Sequence, residues 1–341
     1  MITTLRRNSS CPRSVEDAPS PRRTVWFVII AFALLIRVPA SLAQVTAEFH
    51  RTFTVAPVQP LTLHVEVSEG DLQIFYGRDG QVSIIAIART SGEARLDDNF
   101  FSKVLTIDQQ ENHLSLLHTS DASGPATGIS VAYRIEVPYR TEVTSRLSRG
   151  HQHISGITGP VKAAVRSGDI KADYITKGVQ AEVGNGDIDI QIIGDHVEAK
   201  AGTGNISCTR IPQGVNAEIG DGDITLMVVG PSSAQVKDGR GRIEVGGARG
   251  RLTGSTVGGD LHVKAIPHDD WHLSSSSGNV RLEFPPAAKL ELEASTSAGV
   301  FQIDRGDIAK PGPDVHRFER EVNGGGKRVE VHTESGKIVI R

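Results

Sequence analysis

A regular beat of glycines constrains this chain more than any other feature. Gly168, Gly186, Gly204, Gly222, Gly241, Gly259 and Gly278 follow one another at intervals of 18, 18, 18, 19, 18 and 19 residues. An Asp or Asn and then an aliphatic residue follow each glycine, as in Gly168-Asp169-Ile170 and Gly204-Asn205-Ile206, except in Gly241-Arg242-Ile243. Such a period means that one small unit is repeated, each copy burying its apolar side against the next.

Aligned on the glycine, the flanks resolve into columns. Seven residues before it stand Val161, Val179, Val197, Val215, Ala234, Leu252 and Trp271, and five before it Ala163, Ala181, Ala199, Ala217, Val236, Gly254 and Leu273. Polar residues such as Lys162, Gln180 and Glu198 lie between them. Two residues after the glycine come Ile170, Ile188, Ile206, Ile224, Ile243, Leu261 and Val280, and two further on Ala172, Ile190, Cys208, Leu226, Val245, Val263 and Leu282. Alternation with period two marks strands with one buried face, so each unit reads as two short strands around a glycine turn. The phase recurs at Gly70, Gly299 and Gly336, breaks over 304–328, which reads as an insertion loop, and near Gly150 suggests one extra residue, because Ile154 rather than Gln152 is apolar.

Asn185-Gly186 and Asp221-Gly222 are good hairpin dipeptides, so stacked hairpins or a propeller must be weighed. A propeller blade, however, needs four strands and about 40 residues. In-register stacking explains why like residues recur in every column. It also places Glu182, Lys200, Glu218 and Lys237, four before their glycines, so that successive charges alternate in sign. The expectation is an all-β fold: a parallel β-solenoid resembling a single-stranded β-helix, with 18-residue rungs, two short strands per rung and an irregular β cap. Ten rungs from Gly150 to Gly336, each rising about 4.8 Å, would extend ~48 Å.

The apolar run 25–36 follows Arg22 and Arg23 and precedes Ser41-Leu42-Ala43, a small-x-small cleavage pattern. Its twelve residues span only about 18 Å of a hydrocarbon core near 30 Å. Residues 1–43 therefore read as a signal peptide cut near Ala43, with a retained anchor as the alternative. Secretion to the periplasm or cell surface follows. Cys11 leaves with the peptide, so Cys208 stands alone and burial rather than a disulfide must hold the fold. After cleavage 31 basic residues face 38 acidic ones, the wrong balance for a sequence-independent nucleic-acid binder.

Residues 44–149 are less regular, with strands expected at 64–67, 82–88, 104–107, 114–118 and 131–137 and a loop at 121–128. They read as a cap over the exposed first rung, and 150–341 as the regular solenoid. The repeat, the signal peptide, Ile135-Glu136-Val137-Pro138 and the closing phrase from Arg328 to Ile340 (RVEVHTESGKIVI) together resemble the bacterial DUF4097 family, whose usual label is adhesin, over roughly 48–341. The resemblance implies a secreted or surface-displayed β-solenoid and brings no catalytic residues. Arg242 and Val300 depart from its Asp/Asn column.

Asp169, Asp187, Asp223 and Asp260 are candidate calcium ligands, since oxygen donors in successive turns resemble calcium rolls. Such rolls carry their glycine-rich motif twice in 18 residues, and this chain carries it once. The expectation is therefore structural: the glycines, from Gly168 through Gly278, supply positive φ, and the Asp or Asn bonds nearby backbone N–H groups. His151-x-His153 and the run 267–272 collect further metal-capable groups without metal-site spacing. Cys208 sits in an apolar column and reads as core. Asp187 with Asp189, or Asp221 with Asp223, could pair as acid and base in a carbohydrate-cleaving β-helix. Nearly loop-free rungs leave no cleft for a transition state. Arg305-Gly306-Asp307 matches a cell-attachment tripeptide, a cheap match at three residues. The functional expectation is a non-enzymatic, adhesin-like surface that binds an envelope protein or polysaccharide without a cofactor, by multivalent contact.

Overall fold

The computed structural model describes residues 46–341 except 57, 91–95, 97–98, 119–128, 237–240, 307, 309–310 and 313–314. Residues 1–43 with Cys11, expected as a signal peptide, residues 121–128, expected as a loop, Lys237 and Asp307 lie outside the described residues. No helix among the described residues is long and apolar enough to cross a membrane.

The chain is a parallel β-solenoid. Among the described residues, 28 strands form two sheets of 14, and each rung gives one strand to each sheet. The rung named by Gly168, for example, pairs Val161–Ser167 with Ile170–Ile175 around its turn. Register holds column by column: Val161, Ala163 and Val165 face Val179, Ala181 and Val183, and Ile170 and Ala172 face Ile188 and Ile190. Both sheets turn these residues inward, and all of them are buried. Each Val or Ile so buried contributes about 1.5–3 kcal/mol, so the repeated columns are the main source of cohesion.

Rung order in space departs from rung order in the chain at both ends. Leu61–Glu69, first strand of the Gly70 rung, lies between Thr141–Arg149 and His113–His118. Its second strand, Asp71–Tyr76, lies between Gln152–Ser155 and Ile129–Val137. At the other end Lys327–Thr333 and Lys337–Ile340, the Gly336 rung, fit between the Gly278 rung (Trp271–Ser275, Val280–Glu283) and the Gly299 rung (Leu290–Thr296, Val300–Ile303). The expectation that every unit stacks on its predecessor therefore fails where the glycine beat jumps. A gap long enough for the chain to lead out and return permits an inserted rung.

Three further expectations are corrected. No residue is inserted near Gly150, because Gln152 faces Ile170 and Leu72 in register. Its buried amide donates to the Ala164 carbonyl (2.9 Å) and accepts from the Ser145 hydroxyl (2.7 Å), so polarity is satisfied inside the core. The segment 304–328 is not all loop, since Arg317–Val322 pairs antiparallel with Leu290–Thr296. In the Gly241 rung Ser232, Ala234 and Val236 face Val215, Ala217 and Ile219, a shift of two from the glycine count, so Gln235 rather than Lys237 lies beside Glu218.

Antiparallel strands cover the outer rungs. Gln81–Thr90 pairs with Ile129–Val137, Thr46–Thr54 with Gln81–Thr90, and Leu105–Gln110 with His113–His118. Phe100–Val104 forms a helical turn that buries Phe101 and Val104, so Val104 ends a helix rather than starting a strand. Reversed strands change the edge geometry and blunt further pairing.

Candidate functional site

The expected turn residues form two ladders along the stack. A Cβ on Gly186 would lie 2.1 Å from the Gly168 carbonyl oxygen, one on Gly204 2.0 Å from that of Gly186, and one on Gly222 1.6 Å from that of Gly204. Gly241 makes the same approach to Gly222, Gly278 to Gly259, Gly336 to Gly278 and Gly299 to Gly336. Gly168, Gly186, Gly204 and Gly222 also hold φ between +127° and +140°, backbone open only to glycine. At Gly278 φ lies outside the left-handed region, so there close approach alone demands the residue.

The second ladder runs through the Asp/Asn column. The Asp187 N–H donates to Asp169 Oδ1 (2.8 Å), Asn205 N–H to Asp187 Oδ1 (2.8 Å), Asp223 N–H to Asn205 Oδ1 (3.3 Å) and Arg242 N–H to Asp223 Oδ1 (2.7 Å). It resumes as Asn279 N–H to Asp260 Oδ1 (2.8 Å) and Lys337 N–H to Asn279 Oδ1 (3.1 Å). The side chains thus bond the next rung, not their own turn as expected. Each of the four candidate carboxylates spends one oxygen on a backbone N–H that its turn would otherwise leave unmatched. Among the described residues no three His, Cys, Asp or Glu side chains converge as a metal site.

A hydroxyl column three residues before the glycine changes the turn in later rungs. Ser275 Oγ accepts from the Gly278 N–H (2.8 Å) and donates to the Gly259 carbonyl (3.2 Å), and Thr333 does the same between Gly336 and Gly278 (3.0 and 3.1 Å). Thr256 and Thr296 accept from Gly259 and Gly299. In the earlier rungs Val165, Val183, Ala201 and Ile219 hold this position, and the Gly186 N–H donates instead to the Thr203 carbonyl (3.0 Å).

A third column bends the second strand. Tyr174, Ile192, Arg210 and Val228 hold φ from +54° to +60°, and Gly156 and Gly247 continue the series at +76° and +65°. This left-handed step lets Ile175, Ile193, Ile211 and Val229 turn inward one position late.

The remaining candidates disperse. His153 Nε2 meets Asp173 Oδ2 at 3.0 Å, and the Ser155 hydroxyl donates to the same carboxylate. His151 Nδ1 lies 3.0 Å from Asp169 Oδ2. His272 Nδ1 meets Glu330 Oε2 at 2.6 Å, and Asp270 accepts from the Arg328 N–H. Asp189 accepts from Gln191, not from an acid partner. Cys208 is fully buried, and burial, with Asp189 nearby, pushes its thiol up, so it is no ready nucleophile. Arg305 of the tripeptide is buried and donates to the Phe284, Pro285 and Pro286 carbonyls. Lys200 bonds Glu198 in its own strand (2.6 Å), which raises its pKa first, with Glu218 and Glu182 in adjacent rungs weaker contributors.

Two places escaped sequence reasoning. His118 and Tyr133 bury a ring nitrogen and a phenol oxygen without hydrogen-bond partners among the described residues, rings 5.7 Å apart, and burial pushes the histidine down and the tyrosine up. Near the capped end, Tyr76, Tyr139 and Tyr174 stand 50%, 47% and 61% exposed, with Tyr76 and Tyr139 edge to face at 5.6 Å.

Compared with known families, residues 173–341 match the Toastrack DUF4097 model. Residues 173–341 belong to DUF4097. This DUF4097 segment holds the Gly186 to Gly336 rungs, including the inserted one. No curated protein matches the chain. Solved structures with which the chain aligns over 86% of its length include a candidate cell adhesion protein from Clostridium sporogenes (10% identity, 99% of that chain, TM-score 0.22). Others are a candidate adhesin from Bacteroides fragilis (11%, 97%, 0.30) and a candidate lipid binding protein from Parabacteroides distasonis (10%, 96%, 0.38), each over 86% of this chain. The fold of this chain stands on its own strand pairings.

Proposed function

We propose that the chain is an adhesin-like protein, exported and non-enzymatic, whose stacked sheets offer a binding or scaffolding surface at the bacterial cell envelope. The Asp/Asn ladder carries this reading. The candidate metal ligands Asp169, Asp187, Asp223 and Asp260, of which Asp187 and Asp223 also supply one member of each acid–base pair, already accept backbone N–H groups in the next rung. What faces solvent is instead two long sheets in fixed register, with exposed groups repeated rung after rung. Surfaces of that kind act by many weak contacts in parallel.

The test is co-sedimentation of purified residues 44–341 with isolated bacterial envelopes. Saturable co-sedimentation is the expected result. Its absence at every protein concentration, or turnover of a glycan or ester panel at enzyme-like rates, overturns the reading.

A further inference from the structure

We propose that Tyr76, Tyr139 and Tyr174 form a stacking platform for an extended glycan; this names a partner for the surface reading above and rests on it. Of the four tyrosines in the chain, Tyr133 is buried and the other three are about half exposed. The register Phe75 to Ser155 to Asp173 sets Tyr76, Gly156 and Tyr174 in one line across three adjacent strands. Two rungs separate the two tyrosines, about 10 Å, close to the length of two linked pyranose rings. Gly156 keeps the space between them clear: a Cβ there would come within 3.3 Å of the Tyr76 Cβ.

The platform is held in place before any ligand arrives. Tyr139 meets Tyr76 at 75° between ring planes. Its N–H donates to Asp79 Oδ1 (3.2 Å), and its carbonyl accepts from the Thr158 N–H and hydroxyl (2.9 and 2.8 Å). Tyr174 sits at φ +54°, a conformation that strains a bulky residue and that Gly156 occupies freely one rung away.

The surroundings select the ligand class. Arg134 is paired with Glu136 (3.1 Å) and His153 with Asp173 (3.0 Å), so those four charges are already matched. The strands Asp71–Tyr76, Gln152–Ser155 and Ile170–Ile175 are hydrogen-bonded on both sides, which excludes recognition of a peptide by strand addition. Exposed rings ordered in advance, with phenol groups at their edges, suit the alternating C–H faces and hydroxyls of sugar rings.

Calorimetric titration with hexasaccharides of β-1,4-linked glucose, β-1,4-linked N-acetylglucosamine and α-1,4-linked glucose tests this. Saturable binding to at least one is expected, roughly tenfold weaker for Tyr76→Ala or Tyr174→Ala and retained by Val228→Ala. No binding to any of the three, or equal binding by the alanine variants with circular dichroism unchanged, overturns the platform. Envelope co-sedimentation that protease treatment of the envelopes abolishes and excess hexasaccharide leaves unchanged shows a protein partner, which overturns the glycan and leaves the surface reading standing. Loss of co-sedimentation with hexasaccharide binding intact does the reverse.

Discussion

The rungs from Gly168 to Gly222 and those from Gly259 to Gly336 turn the same corner with different hydrogen bonds. In the first set the strands run on almost to the glycine, seven residues long from Val161 to Ser167, and the glycine N–H stays in the inter-rung ladder. In the second they stop three residues before the glycine, at Thr256, Ser275, Thr296 and Thr333, and a hydroxyl there takes the glycine N–H. The first set also carries the left-handed column, which Gly247 ends. The difference teaches that a period constrains spacing and stacking but not how each turn is satisfied. Val or Thr can occupy the same core column because the backbone changes to suit it.

The comparison can be broken or sharpened in order of effect. Deleting 327–341 removes the rung that separates the Gly278 and Gly299 rungs. Amide exchange should then lose protection across 271–303 while 161–229 keeps it; uniform loss would mean that the stack is one cooperative unit. Gly204→Ala should cost about 4 kcal/mol or more, because a Cβ 2.0 Å from the Gly186 oxygen and φ of +127° offend together, read as a fall in the urea midpoint. Ser275→Ala should cost about 1–3 kcal/mol by stranding the Gly278 N–H and the Gly259 carbonyl. Val183→Thr should lose a similar amount in the other set, where no turn awaits the hydroxyl, and both are measurable by chemical denaturation. Val228→Gly should gain about 0.5 kcal/mol, as release of the left-handed strain slightly exceeds the entropy that glycine adds to the unfolded chain. Calcium or chelator should leave the melting temperature unchanged, since the Asp169 to Asp223 ladder already serves the backbone; a calcium-dependent rise would return those carboxylates to a metal role.

Much of this was legible in the residues. The glycine spacing and the Val, Ala and Ile columns gave the rung and its inward faces, because burial in a stacked strand demands the same residue class at the same phase. Rung order was not legible, since spacing says nothing of which edge a returning segment meets. Polarity at Gln152 points to exposure, whereas Ser145 and the Ala164 carbonyl satisfy it inside the core. The left-handed column shares no residue type. Its signal was the late inward turn of Ile175, Ile193, Ile211 and Val229. The hydroxyl column is visible as Thr256, Ser275, Thr296 and Thr333 where Val165 and Val183 stand earlier, but residue type alone does not say that the hydroxyl caps the glycine N–H. The tyrosine corner needs coordinates, because its members come from separate strands and a linker.

The inserted rungs bear on how the body responds to pulling. In a solenoid stacked in chain order, tension on the final strand peels hydrogen bonds away one after another. Here Lys327–Thr333 is gripped by strands on both flanks, and Leu61–Glu69 is gripped likewise at the opposite extremity. A force applied along either strand must shear two parallel ladders at once, so each end of the stack is latched against unravelling under mechanical load.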